Sequence, residues 1–229
     1  MSVRYFQVGG HIRDSLLGIE SHDIDYAVEA PSFQAIIDDI NSRGGKIYLT
    51  TPEYFTIRAR LNNQDCDFVW CRKEGPYSDG RHPDYCLPGT IYDDLARRDF
   101  TMNAIAVDED GNYIDPHNGI KDIENRLIKC VGKTEDRMNE DALRMLRAMR
   151  FSITKNMTIS ASIANFLDDV NNVDLLDKIS IERIREELNK CFSYNTYHSL
   201  LMFHRFKYIE AYLFGVNKQL WLKPTNERK

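Results

Sequence analysis

Residues 8–30 read VGGHIRDSLLGIESHDIDYAVEA, and residues 64–72 read QDCDFVWCR. In the first stretch an apolar segment, FQV, runs into Gly9 and Gly10 and then into a helix-like segment with Ile12, Leu16 and Leu17 at apolar positions. Strand, glycine turn and helix start together form a phosphate cradle, because glycine lets backbone N–H groups approach an anion closely and the helix start presents unsatisfied donors. Arg13 sits in the first turn within reach of a phosphate, and Asp14 can fix it; the alternative is a tight turn with a surface ion pair. In the DIDYAV run, side chains two apart share a face of a strand, so Asp23 and Asp25 project together while Ile24 faces the core. Two adjacent carboxylates repel one another unless a hard cation relieves them, and magnesium binds through one or two carboxylates plus substrate phosphates. A third carboxylate on a neighbouring strand completes a two-metal arrangement with ions about 3.5–4 Å apart. Asp67, inside the apolar run Phe68, Val69 and Trp70, is the candidate, with Asp65 sharing its parity nearer the polar turn LNNQ.

Working outward, VGGHIRDSLLG and DID are followed in order by LARRDFTMNAIAVD (95–108), DPHNGIKDI (115–123) and EDALRMLRAMRFS (140–152). This ordered set resembles the motifs of class II tRNA nucleotidyltransferases (CCA-adding enzymes) and bacterial poly(A) polymerases, from about residue 8 to about residue 190. The resemblance implies an α+β fold: a polymerase-β-like nucleotidyltransferase head, with a mixed sheet flanked by helices, over residues 1–133, then an all-α neck and shortened helical region over 134–229. It implies Asp23, Asp25 and Asp67 as catalytic residues, with Asp23 and Asp25 as ligands of Mg2+. Nucleotide contacts would fall on Gly9, Gly10, Arg13, Arg98, Asp99 and Asn103. An arginine fork suits phosphate and an Asn or Asp suits ribose hydroxyls; the alternative is that Arg97, Arg98 and Asp99 are surface pairs closing the helix TIYDDLARR.

If EDALR is helical, Asp141 and Arg144 share a face. A carboxylate accepts from an exocyclic amine and a guanidinium donates to a ring acceptor, so the pair suits cytosine and adenine and rejects uracil and guanine. The resemblance gives Asp141 and Arg144 this templating role, with Glu140 supporting; the alternative is an ordinary helix ion pair. Arg137, Arg144, Arg147 and Arg150 suggest a basic stripe, in part solvated and in part facing RNA, with Leu143, Leu146, Met149 and Phe151 inward. Phe203, Phe206, Tyr208, Tyr212 and Phe214 fit core packing better than base stacking.

The expected reaction is attack of an RNA 3′ hydroxyl on the α-phosphate of CTP or ATP, most simply at a tRNA end. Between residues 44 and 68 no IGRRF-like run of the poly(A) polymerases occurs, which favours CCA or A addition over poly(A) synthesis. Residues 72–98, rich in Gly and Pro, resemble the flexible loop of enzymes that add the terminal adenosine. A non-catalytic nucleotide- or RNA-binding relative is the reading from a different class, disfavoured by the intact carboxylates. Relatives continue into body and tail domains that grip tRNA. Here the acceptor end alone is bound, or a second copy or partner subunit supplies the missing surface, or another RNA is the substrate.

A net charge of −5 excludes a uniformly basic RNA clamp but permits a local one. Five cysteines, odd in number and without metal-ligand spacing, fit a reducing cytosol, and no cleavable leader or segment of transmembrane length is expected.

Overall fold

The computed structural model describes residues 2–21, 24–78, 80 and 82–215. They fall into two compact units, one comprising Met1–Ser78, His82–Asn125 and Cys130–Gly132, the other Asp79–Arg81, Arg126–Lys129 and Lys133–Lys229.

The first unit begins with β1 (Arg4–Val8), α1 (Gly10–Leu16), β2 (Ile24–Glu29), α2 (Phe33–Ser42), β3 (Lys46–Thr51), β4 (Thr56–Leu61) and β5 (Gln64–Trp70). It continues through β6 (Arg72–Glu74), β7 (Cys86–Pro88), α3 (Ile91–Ala96), β8 (Ala106–Val107), β9 (Tyr113–Ile114) and α4 (Gly119–Glu124). Seven strands form one mixed sheet in the order β3-β4-β5-β2-β1-β8-β9, in which β2 and β5 are the parallel pair. Two of the antiparallel pairs close through short turns: Asn62 and Asn63, both at positive φ, join β4 to β5, as a two-residue hairpin on right-twisted strands requires. The DEDGN turn joins β8 to β9, with Gly111 at φ 83°. The parallel pair needs a long crossover, and α2, β3 and β4 provide it.

Alternation along β2 and β5 assigns the two faces. Val28, Cys66, Phe68 and Trp70 pack with Ile36 and Ile40 of α2. On the opposite face Ala27 and Cys71 pack with Phe6, Val8, Ile91 and Leu95, under α3. Asp25 and Asp67 share the parity of Ala27 and Cys71, so burial of the intervening residues on the α2 side turns both carboxylates to the other face. Residues 72–98 differ from the loop expected of their Gly and Pro content. β6 and β7 pair as an antiparallel ribbon, and the Gly75 and Asp84 N–H groups donate to Tyr85 O and Pro76 O.

The second unit contains β10 (Leu127–Ile128), α5 (Thr134–Glu140), α6 (Leu143–Lys155), β11 (Thr158–Ile159), α7 (Ala161–Leu167), a 3-10 stretch Val170–Lys178, α8 (Ile181–Tyr194), α9 (Thr196–Arg205) and α10 (Lys207–Phe214). β10 and β11 form a two-residue parallel pair within this mostly helical unit. Two runs whose apolar residues have helical spacing, 137–153 and 196–213, are each broken. Asp141, at φ −149° and ψ 102°, separates α5 from α6, and Phe206, at φ −103° and ψ 77°, separates α9 from α10. Phe206 is wholly buried, so its side chain is accommodated at the cost of the helical backbone there. Most of the VDLLDKIS run lies in the 3-10 stretch Val170–Lys178, and Ser180 holds the N-cap position of α8 without a side-chain capping bond.

Candidate active site

Asp25 and Asp67 are register partners on the parallel pair β2–β5, which puts their Cα atoms one strand spacing apart, about 4.8 Å. Asp23 lies outside the described residues. Among the described residues no group of three or more His, Cys, Asp or Glu side chains is arranged to hold a metal ion. Two carboxylates side by side on one face are nevertheless the oxygen donor set a hard divalent cation takes. Asp67 also faces its antiparallel partner Arg58 on β4, which donates from Nε at 2.6 Å and Nη2 at 2.9 Å. The Arg58 side chain is 52% exposed, so this fork is solvated, contributes little, and leaves Arg58 able to swing aside. Arg60 and Asp65 repeat the pattern one step nearer the turn.

The turn after β1 converges on the same place. Gly9 has φ 77° and ψ −133°, a conformation costly for any side chain, and a Cβ there would lie 3.2 Å from Arg98 Nη1 and 3.5 Å from Asp25 Oδ2. Gly9→Ala is therefore expected to destabilise the head by about 1–3 kcal/mol in urea denaturation and to displace Arg98; unchanged stability would contradict this account of the turn.

Arg13 does not extend from its turn as the sequence suggested. It is 7% exposed and folds inward, gripping Asp14 through Nε and Nη2 at 2.8 and 2.9 Å and donating from Nη1 to Asn103 Oδ1 at 2.7 Å. Asn103 donates in turn to Asp99 Oδ1 at 2.9 Å, which also accepts the Phe100 N–H. Asp14, Arg13, Asn103 and Asp99 thus form a buried brace between α1 and the 3-10 turn Thr101–Asn103, and the surface-pair alternative for Arg13–Asp14 fails on burial. Gly10 lies over this brace, a Cβ there being 3.5 Å from Arg13 Nη2.

The same applies to Arg97 and Arg98. Both clasp Asp94, which is wholly buried: Arg97 Nη2 donates to Oδ1 at 2.6 Å and Arg98 Nη2 to Oδ2 at 2.9 Å. Burial alone would push the Asp94 carboxyl up, but the two guanidiniums outweigh it and hold it below the usual carboxylate range. Asp94 and Arg58 escaped the sequence reading. The i,i+3 and i,i+4 spacing of Asp94 to Arg97 and Arg98 was a signal for the first, but for Arg58 only strand register could supply one.

In the second unit the expected Asp141–Arg144 helix pair is absent. The chain is extended at Asp141, so the two residues do not share a helical face. Asp141 accepts the Leu143 N–H at 3.0 Å and is held by Arg183 of α8 at 2.7 and 3.3 Å. Arg144, 8% exposed, donates to Glu140 Oε2 and Arg137 O, both at 2.6 Å, while Arg137 holds the other Glu140 oxygen. Glu140 supports Arg144 as expected, whereas the support of Asp141 is Arg183, which the sequence reading missed. Nor do the arginines of α6 form an open basic stripe. Arg150 donates to the buried Glu187 at 2.5 Å and, like Arg147, lies over the Phe151 ring. Phe203 and Phe206 are buried, while Tyr208 and Phe214 are largely exposed.

The sheet, the carboxylate pair beside a glycine turn and the RRDFT segment all lie within one stretch that a family model matches. Residues 5–129 match the family model described as Poly A polymerase head domain. Over 187 residues the chain is 40% identical to a CCA-adding enzyme of Lactobacillus johnsonii, covering 81% of this chain and 45% of that one. It superposes on the CCA-adding enzyme of Bacillus stearothermophilus in complex with CTP with a TM-score of 0.76 and 31% identity, over 87% of this chain and 47% of that one. The Thermotoga maritima CCA-adding enzyme complexed with tRNA gives 0.76 at 25% identity, over 97% and 50%. The chain belongs to this family of CCA-adding enzymes and poly(A) polymerase heads, and spans about half the length of the relatives it matches.

Proposed function

We propose that this protein is a template-independent RNA nucleotidyltransferase that adds CMP, AMP or both from CTP and ATP to the 3′ end of tRNA. The single observation that carries the reading is the convergence of Asp25, Gly9 and Arg98 beside the Asp25–Asp67 register pair. The similarity to enzymes whose structures contain CTP and tRNA supports the choice of substrates.

Asp25 and Asp67, with Asp23, would hold Mg2+, which would supply Lewis-acid activation of the attacking hydroxyl and charge neutralisation at the leaving pyrophosphate. The rest falls to the chain. The Gly9 turn admits the triphosphate to backbone distance, and Arg98, one Nη1 bond already on Asn103 O, donates to phosphate oxygens. The buried brace of Asp14, Arg13, Asn103 and Asp99 keeps the turn from moving as charge develops. By the same reading Asp141 and Arg144 select the base. Each is held by a partner other than its fellow, so the two can meet the exocyclic amine and the adjacent ring acceptor of cytosine or adenine independently. Among the described residues no helix is long and apolar enough to cross a membrane, and the five cysteines are free thiols.

The test is incubation with labelled CTP and ATP separately, on tRNA ending before CCA, on tRNA ending in CC, and on an unrelated RNA oligomer. Addition to the tRNA ends is expected. Long adenosine tails on any RNA would replace this reading with poly(A) synthesis, and no incorporation by wild type would leave a binding protein. Asp141→Ala is expected to lower the preference for CTP over UTP by about 10–100-fold, the value of one specific base contact; unchanged preference would remove the base-reading role.

A further inference from the structure

Asp94 is planar, wholly buried and shared between two arginines. Its Oδ1 takes Arg97 through Nε at 3.0 Å and Nη2 at 2.6 Å, and its Oδ2 takes Arg98 through Nε at 3.3 Å and Nη2 at 2.9 Å. Both guanidiniums hang on one carboxylate, so a displacement of that side chain reaches both.

Arg97 reaches away from the turn: its Nη1 donates to Glu74 Oε1 at 3.2 Å. Glu74 ends strand β6 and its side chain is 5% exposed. Its Oε1 also accepts Arg72 Nε at 2.9 Å, and its Oε2 accepts the hydroxyl of Tyr77, which follows the ribbon strand. Burial pushes the Glu74 carboxyl up, but Arg97, Tyr77 and Arg72 together hold it below its usual range, so it is ionised at neutral pH. On the other side, Arg98 donates to Asn103 O at 3.1 Å and lies against Gly9. A continuous run of charge-assisted bonds, Tyr77–Glu74–Arg97–Asp94–Arg98, therefore leads from the β6–β7 ribbon to the glycine turn. Every member belongs to the first unit.

We propose that Glu74 and Asp94 are positioning residues for nucleotide binding: Asp94 holds the guanidinium of Arg98 directly and Glu74 holds it through Arg97 and Asp94, so that the state of the β6–β7 ribbon sets the affinity of the glycine turn for the triphosphate. This rests on the reading of Arg98 as a triphosphate contact and adds the residues that govern it. Both carboxylates are buried, Asp94 wholly and the Glu74 side chain to 5% exposure, so their action runs through Arg98.

Glu74→Gln keeps the size and one acceptor oxygen but removes the charge that anchors Arg97. It avoids emptying the buried Asp94 position, where a substitution endangers the fold. CTP binding is measured by calorimetry on the full chain in magnesium for wild type, Glu74→Gln, Arg98→Lys and the double variant. Glu74→Gln is expected to weaken CTP binding by about 5–10-fold, and by less than about twofold when Arg98 is already Lys, since residues in one network do not act additively. An equal loss in both backgrounds, or no loss in either, overturns the proposal.

A second readout needs no nucleotide. The Arg98 Nε–H resonance, identified by its disappearance in Arg98→Lys, is expected to exchange faster with solvent in Glu74→Gln at temperatures well below the variant's own thermal midpoint. Unchanged exchange overturns the linkage. Wild type that binds no CTP, together with accelerated exchange, would instead overturn the nucleotide reading of Arg98 and keep the physical link between ribbon and turn.

Discussion

Asp25→Asn is expected to lower nucleotide incorporation by about 10³-fold or more, since several kcal/mol of transition-state stabilisation depend on the cations its carboxylate would hold. The substitution is nearly isosteric. Asp25 pairs through the backbone with Val8 on one side and Asp67 on the other, so the strand keeps its register and the folded protein keeps its thermal midpoint. Asp65→Asn is the control: Asp65 shares the parity of Asp67 but pairs with the exposed Arg60, and incorporation should change less than about twofold when so solvated an ion pair is lost. Primer-extension rates with CTP across a magnesium titration decide the matter. Retained activity in Asp25→Asn would remove the carboxylate pair from the chemistry, and equal losses at both positions would show that only the charge of the face counts.

Asp94→Asn is expected to destabilise the head by about 3–5 kcal/mol at neutral pH, the loss that follows when one partner of a buried ion pair is neutralised and the other charges stay behind. Here two guanidiniums are left facing one amide. Because the folded-state pKa of Asp94 is depressed, its stabilisation is present above the carboxyl's ordinary pKa of about 4 and is lost as pH falls through the folded value. The gap in urea midpoint between wild type and Asp94→Asn is therefore greatest near pH 7 and narrows below about pH 4. A gap that stayed constant into acid would mean that the carboxylate's charge contributes nothing.

The parts of this molecule legible in its sequence are those governed by local periodicity. FQVGGHIRDSLLG fixes a strand, a turn that needs glycine and a short helix, because φ near 77° at Gly9 excludes a side chain there. The two-residue period put Ile24 with Tyr26 and Val28 on one side and Asp25 with Ala27 on the other. Periodicity is silent where backbone and packing compete. The 137–153 run has helical spacing throughout, yet the chain extends at Asp141, where Arg183, 42 residues away, holds the carboxylate. The helical pattern of 196–213 likewise gives way at the buried Phe206.

Charge behaved in the same manner. A sequence lists arginines without stating where their partners lie, and Arg13, Arg97, Arg98, Arg144 and Arg150, which read as phosphate-, base- or RNA-facing groups or as surface pairs, each found a carboxylate in the fold. By itself the sequence determined which residues alternate, which turn demands glycine and which family's ordered motifs the chain carries, since these depend on neighbours a few residues apart. Only the tertiary structure decided that Asp67 rather than Asp65 stands in register with Asp25, that Arg58 faces it, and that Glu74, Arg97, Asp94 and Arg98 are joined. Strand register and buried ion pairing are settled by contacts between distant segments, where leaving a charge unpaired costs more than any local preference can recover.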